Sequence, residues 1–152
     1  MNVRLAQAQD LDQLVRLRRD FTLEDDPEAE LVEGYETECR TFLERALTGE
    51  RWRIFLAEVD GEVVSHAYVE LVAKVPRPTR EAADWGDVTN VYTVPAQRGK
   101  GIGAAVLGEV TAWADQAALE LLIVWPSDDS RAFYARQGFA KADDPMIRPA
   151  GG

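Results

Sequence analysis

Apolar and polar positions along this chain trade between two rhythms, one helical and one extended, and the order of the rhythms already sketches a fold. Val3-Arg4-Leu5 reads as a short first strand. Asp10, with Gln13 three residues on, has capping-box spacing at the head of a helix carrying Leu11, Leu14, Leu17 and Phe21. Glu24-Asp25-Asp26-Pro27-Glu28 breaks that pattern, after which Tyr35, Cys39, Phe42, Leu43, Ala46 and Leu47 return at helical spacing until Gly49 offers an end. Trp52 to Val59 and Val63 to Val72 are β-rich runs joined through Asp60-Gly61, a dipeptide suited to a type I′ hairpin turn. Lys74 to Gly86, with Pro76 and Pro78, reads as a loop long enough to suggest a functional role.

The second half continues with a strand ending near Val94 and a helical stripe of Ile102, Val106, Val110, Trp113 and Ala117. Leu121 to Trp125 follows, apolar without alternation, as in a parallel strand buried on both faces. Strand, helix and parallel strand make a right-handed βαβ unit. Ser127 can cap one more helix, with Asp128 and Asp129 in its first turn and Gly138 at its end. Phe139 and Met146-Ile147 leave room for one or two short closing strands. The pattern predicts an α/β (α+β) domain over residues 1–152, without internal repeat or interdomain linker.

Chemistry concentrates in Val91-Tyr92-Thr93-Val94-Pro95-Ala96-Gln97-Arg98-Gly99-Lys100-Gly101-Ile102-Gly103-Ala104. A β-branched run enters a glycine-rich turn that opens a helix, so backbone N–H groups and the positive helix end can face an anion, most naturally a phosphate or pyrophosphate. The dinucleotide spacing G-x-G-x-x-G is not met, because the glycines read G-x-G-x-G. A Walker loop fails as well, since Lys100 is followed by Gly101 where a hydroxyl is needed. The remaining pattern, Arg98-x-x-Gly101-x-Gly103 with a proline three residues before the arginine, resembles the coenzyme A pyrophosphate loop of the GCN5-related N-acetyltransferase (GNAT) superfamily. A second segment, Ser127-Asp128-Asp129-Ser130-Arg131-Ala132-Phe133-Tyr134-Ala135-Arg136-Gln137-Gly138-Phe139, is similar to that superfamily's later helix.

This resemblance implies a single GNAT-like domain: a mixed central sheet of six to seven strands with about four helices, its parallel pair splayed around the cofactor site. Acetyl-CoA is the implied co-substrate, with no metal. Arg98, Gly99, Lys100, Gly101, Gly103 and Ala104 would wrap its diphosphate, mostly through N–H groups. Main-chain groups of Tyr92, Thr93 and Val94, on a strand that bulges away from its neighbour, would hold the pantetheine arm. Ser127 stands where the family more often has an asparagine that bonds this arm, and Ser130 shares its helix face with Tyr134. Tyr134 matches the family's general acid; its phenol, with a reference pKa of about 10, can give a proton to a departing thiolate. The general base stays open among Glu70, Asp87 and His66: His66, Tyr68 and Glu70 alternate onto one face of the second hairpin strand, and Asp87 lies just before the motif strand.

Charge and cysteine content narrow the partners. A formal net charge of −10 opposes general nucleic-acid binding. Arg98 and Lys100, with Arg131 and Arg136, would be the local exception for an anionic cofactor. The acidic run Glu24 to Glu33 borders the implied acceptor pocket and is suited to a cationic amine. Cys39 is the only cysteine, which excludes an internal disulfide and reads as a small hydrophobe in a reducing compartment. No leader pattern or membrane-length apolar run occurs, so a cytoplasmic protein without a membrane partner is expected, a homodimer being compatible. The expected function is acetyl-CoA-dependent N-acetylation of a primary amine on a small molecule or peptide. The alternatives are a non-catalytic acyl-CoA-binding regulatory module and a nucleotide-binding interaction domain.

Overall fold

In the computed structural model, which describes residues 1–81 and 83–151, the chain builds a five-stranded sheet with helices on both faces. The elements are β1 (Asn2–Leu5), α1 (Leu11–Asp25), α2 (Tyr35–Thr48), β2 (Trp52–Val59), β3 (Glu62–Val72), β4 (Trp85–Thr93), α3 (Ile102–Gln116), β5 (Leu121–Val124) and α4 (Arg131–Arg136). The strands lie in sequence order, antiparallel from β1 to β4, and β5 then pairs parallel with β4 across the α3 connection.

Alternation along the strands sorts the core into two layers. Phe55, Ala57, Ala67, Val69 and Val88 turn to one face and pack with Ile102, Val106, Leu107 and Val110 of α3 and with Tyr134. Ile54, Leu56, Val63 and Tyr68 turn to the other and meet Leu14, Val15 and Leu17 of α1 and Leu43 and Ala46 of α2. The central strand β3, buried without a break from Val63 to Val69, is therefore covered on both sides. The hairpin closes through Asp60 and Gly61 at φ 53° and 82°, the pair of positive values that a type I′ turn requires.

Several expectations change. The sheet has five strands rather than six or seven: no strand forms beyond Val124 among the described residues. Pro145 and Pro149 lack N–H donors, and Met146 and Ile147 lie exposed among polar neighbours with no alternating stripe to bury. Gln13 does not close a capping box. Asp10 instead accepts the Gln7 N–H at 2.7 Å at the end of a 3₁₀ turn, while the Gln13 amide accepts from Val63 N–H at 2.8 Å and so ties α1 to the hairpin. Asp87 lies within β4 rather than ahead of it, because the strand begins at Trp85. There Gly86 admits the close approach of β5: a Cβ would stand 2.5 Å from Leu122. The connecting loop is tied to the starts of β4 and β5, with Arg77 and Arg80 both paired to Glu120 and Lys74 Nζ 3.6 Å from the Trp85 ring centroid.

Candidate active site

The site begins where β4 and β5 part. Their parallel pairing runs from Trp85 with Leu121 to Val88 with Val124 and stops, while β4 continues to Thr93. The register with β3 also slips between His66 and Tyr68, where β4 carries one extra residue. That residue falls at Asn90, which sits at φ 50°. Asparagine is among the few side chains that accept this conformation. His66 fixes it, with Nδ1 2.7 Å from the Asn90 carbonyl oxygen. Ser65 Oγ donates to the Tyr92 carbonyl at 3.0 Å and lies 2.8 Å from Thr93 Oγ1. A polar pair buried inside an apolar strand thus braces the bulge that opens the sheet.

Past the bulge the main chain is sided. The Val94 N–H bonds the Val64 carbonyl at 2.9 Å, so Tyr92 and Val94 turn their backbone groups to β3 and Thr93 turns its own to the side that β5 has left. Of the three strand residues expected to hold the cofactor arm, only Thr93 faces the opening with its backbone. Its carbonyl accepts from Arg98 Nε at 2.9 Å.

Arg98 is engaged by groups of the protein itself. Its guanidinium reaches back to Glu24 at 2.6 Å and lies 5.6 Å from the Tyr92 ring centroid, and the Tyr92 hydroxyl donates to the same carboxylate at 2.9 Å. Arg98 and the Tyr92 hydrogen bond hold the Glu24 carboxyl below its usual range, while burial and the same carboxylate push the Tyr92 phenol up to about 12. The turn itself is a cradle. Gly99 and Gly101 take φ 74° and 77°, and a Cβ on either would project into open space. The first helical bond of α3 runs from Ala105 N–H to the Gly101 carbonyl, which leaves the amides of Ile102, Gly103 and Ala104 unpaired at the positive helix end. Gly103 serves packing as well, because a Cβ there would lie 3.2 Å from Thr93 Oγ1 and 3.5 Å from Phe133. These donors and their spacing suit a diphosphate. Lys100 Nζ bonds Gln97 Oε1 at 3.0 Å on the exposed rim.

Tyr134 belongs to the α3 face of the sheet, edge-on to Phe133 and Phe139 with centroids 5.3 and 5.7 Å away. Burial raises its pKa, and no charge or hydrogen bond contributes. Ser127 does not cap a helix through its side chain: it bonds Ser130 Oγ at 3.0 Å, and a 3₁₀ turn precedes the six-residue α4.

On the opposite face, between α1, α2 and the strands, lies a cavity of about 800 Å³ that reaches Thr89 and Asn90 at the parting of the strands. Asp25 and Asp26, from the acidic run, line it together with Cys39, and no described residue of the 73–84 loop does. The three candidate bases differ. His66 is wholly buried, its Nε2 lacks a partner, and burial lowers its pKa to about 4, so the ring is neutral. Glu70 is paired with Arg51. Asp87, opposite Glu70 on the same face, has a buried and unpartnered Oδ1, and burial followed by the Glu70 charge raises its pKa. Asn90 and Arg18, which donates to the Asn90 side chain at 3.3 Å, were missed from sequence. The one available signal was an asparagine within a β-branched run.

Comparison with known proteins places the chain in a family. A family model described as "Acetyltransferase (GNAT) family" matches residues 11–139. No curated protein sequence matches the chain. Among solved structures, a predicted acetyltransferase with acetyl-CoA from Clostridium acetobutylicum is similar at TM-score 0.80 and 23% identity, covering 97% of this chain and 95% of that one. A candidate acetyltransferase from Agrobacterium tumefaciens str. C58 matches at TM-score 0.78 and 26% identity over 98% and 100% of the two chains. Glucosamine-6-phosphate N-acetyltransferase from Arabidopsis thaliana shares the fold at TM-score 0.77 and 16% identity over 98% and 97%. Matched through both motifs and nearly all of the sheet, the chain belongs to the GNAT family of acetyltransferases.

Proposed function

We propose that this protein transfers the acetyl group of acetyl-CoA to a primary amine by direct attack in a ternary complex. The observation that carries the reading is the opening beyond Val88 and Val124. It has unpaired amides and Tyr134 on one face of the sheet and a cavity on the other, so two substrates can meet through the sheet without sharing a site.

The residues then divide the work. Amides from Gly99 to Ala104 hold the diphosphate, with Lys100 at the rim, and the Thr93 N–H meets the arm where β5 has departed. Tyr92 and Val94 fix the strand, and Ser127 and Ser130 border the arm from the start of α4. Acetyl-CoA supplies the thioester carbonyl. Asp87, through water, takes the proton that must leave the acceptor ammonium before its lone pair can attack. As the C–N bond forms and the C–S bond breaks, Tyr134 gives its proton to the departing sulfur; the phenol is a weaker acid than the thiol at about 8.5 by analogy with cysteine, and the step is completed when the second proton of the acylated nitrogen passes through water to the phenolate and leaves the neutral amide. Glu70, held by Arg51, keeps Asp87 basic by its charge.

A thermal-shift panel with a thiol-release assay tests this. Acetyl-CoA raises the unfolding midpoint where ATP and NAD do not, since a ligand bound only to the native state stabilises by mass action. An amine screen then releases free coenzyme A. A midpoint shift without release from any amine would return the protein to a non-catalytic acyl-CoA-binding module.

A further inference from the structure

The acceptor cavity is built from two chemistries. Its body is apolar and aromatic, formed by Phe21 of α1, Phe42 and Leu43 of α2, Trp52 of β2 and Tyr68 of β3. Its charges are divided by position. Asp25 and Asp26 come from the end of α1 and Glu38 from α2, whereas Arg18 sits at the strand opening, where it reaches Asn90. The neighbouring arginines of α1 have carboxylate partners, Arg16 with Glu62 and Arg19 with Asp20 and Glu36. Arg18 has none among the described residues. Its guanidinium lies 5.5 Å from the Phe21 centroid, and its one hydrogen bond is to a neutral amide. A guanidinium held against an aromatic face, weakly hydrated and with its donor fork unspent, is suited to a carboxylate. The buried Tyr35 hydroxyl in the same wall also lacks a partner.

Resting on the acetyltransferase reading and narrowing its acceptor, we infer that the amine is an α-amino acid with a large apolar or aromatic side chain. Its carboxylate binds Arg18, its side chain lies among Phe42, Leu43 and Trp52, and its amine turns to the parted strands. Because Arg18 reaches Asn90, a carboxylate bound to it leaves the amine one carbon away at the bulge. The three cavity acids draw the ammonium pole of the incoming zwitterion while Arg18 draws the other. A polyamine would set a second ammonium beside Arg18, and a simple anion would meet three carboxylates.

Matched pairs test the assignment: phenylalanine against phenethylamine, and leucine against isopentylamine, with acetyl-CoA and thiol release as the readout. The amino acid is preferred in kcat/KM by about 10- to 100-fold, the range expected of a hydrogen bond to a charged group. Arg18→Gln collapses this ratio through KM, and Arg18→Lys retains part of it. Equal or reversed preference, or a ratio that Arg18→Gln leaves unchanged, overturns the inference. So does failure of both pairs. In that case polyamine, amino-sugar and peptide acceptors on the same plate, with the acetyl-CoA thermal shift, show whether the acetyltransferase reading falls too.

Discussion

In the proposed reaction Asp87 and Tyr134 carry opposite halves of the proton transfer, and each is set by its surroundings. Burial first and the Glu70 charge second raise the Asp87 pKa above 3.8, so its ionised form is disfavoured in the folded protein. The native state therefore binds that proton more tightly than the unfolded chain does, and stability falls as pH rises from 3.8 through the folded value. The same titration makes the base competent, so kcat/KM rises across the window in which this stability is lost. Asp87→Asn is expected to lower kcat by about 10²- to 10⁴-fold and to erase the acidic limb of the pH–rate profile, while the melting temperature at pH 7 stays level or rises. Rate profiles and melts on both proteins check this, and an unchanged acidic limb moves the base elsewhere. Tyr134→Phe keeps the ring contacts to Phe133 and Phe139. It should retain acetyl-CoA affinity and lose turnover by a similar factor, measured by titration calorimetry beside initial rates.

At the scale of elements, the turn into α3 depends on backbone that a side chain resists. Gly101 is the helix N-cap at φ 77° and faces open space, so Gly101→Val combines left-handed strain with a methyl-bearing group in the anion cradle. We expect a melting temperature lowered by the equivalent of about 1–2 kcal/mol and acetyl-CoA affinity weakened at least tenfold; calorimetry on the folded variant separates the two. This turn was legible in the sequence because its requirement is local: glycine spacing, a preceding strand and a following helix. The Asp60-Gly61 hairpin was legible for the same reason. The bulge was not, because it depends on Ser65 and His66, some 25 residues from Asn90, and on a pairing register that one strand alone does not specify. The partner of the Arg98 side chain was illegible for the same reason, since Glu24 lies far away in sequence on α1. The expected closing strands failed for a simpler reason: isolated apolar residues between prolines cannot fill a sheet face.

For the whole molecule, the placement of α1 governs the site, since this helix supplies Arg18, Phe21 and Asp25 to the cavity and Glu24 to Arg98. Its entry is locked by a charge network crossing three elements. Arg4 on β1 donates to both oxygens of Asp10 at 2.7 and 2.9 Å and to Glu58 on β2 at 2.7 Å, and Asp10 is only 3% exposed. The Arg4 hydrogen bond, assisted by the Gln7 amide, holds the Asp10 carboxyl below 3.8. A carboxylate depressed in this way adds stability above its unfolded pKa and loses it as pH falls through the folded value. Asp10→Asn leaves a half-buried guanidinium with Glu58 alone, and breaking one side of a buried pair costs about 3 kcal/mol. For a domain of this length that is a melting temperature roughly 6–12 °C lower at pH 7. The difference between the two proteins should be constant above pH 5 and shrink as the pH drops below 3.8, where wild-type Asp10 also takes a proton. A gap that persisted undiminished into acid would mean that the network acts through shape rather than charge. Because α1 forms one wall of the proposed acceptor cavity, the same variant should raise the acceptor KM more than the acetyl-CoA KM, a split that uniform loosening of the protein would not produce.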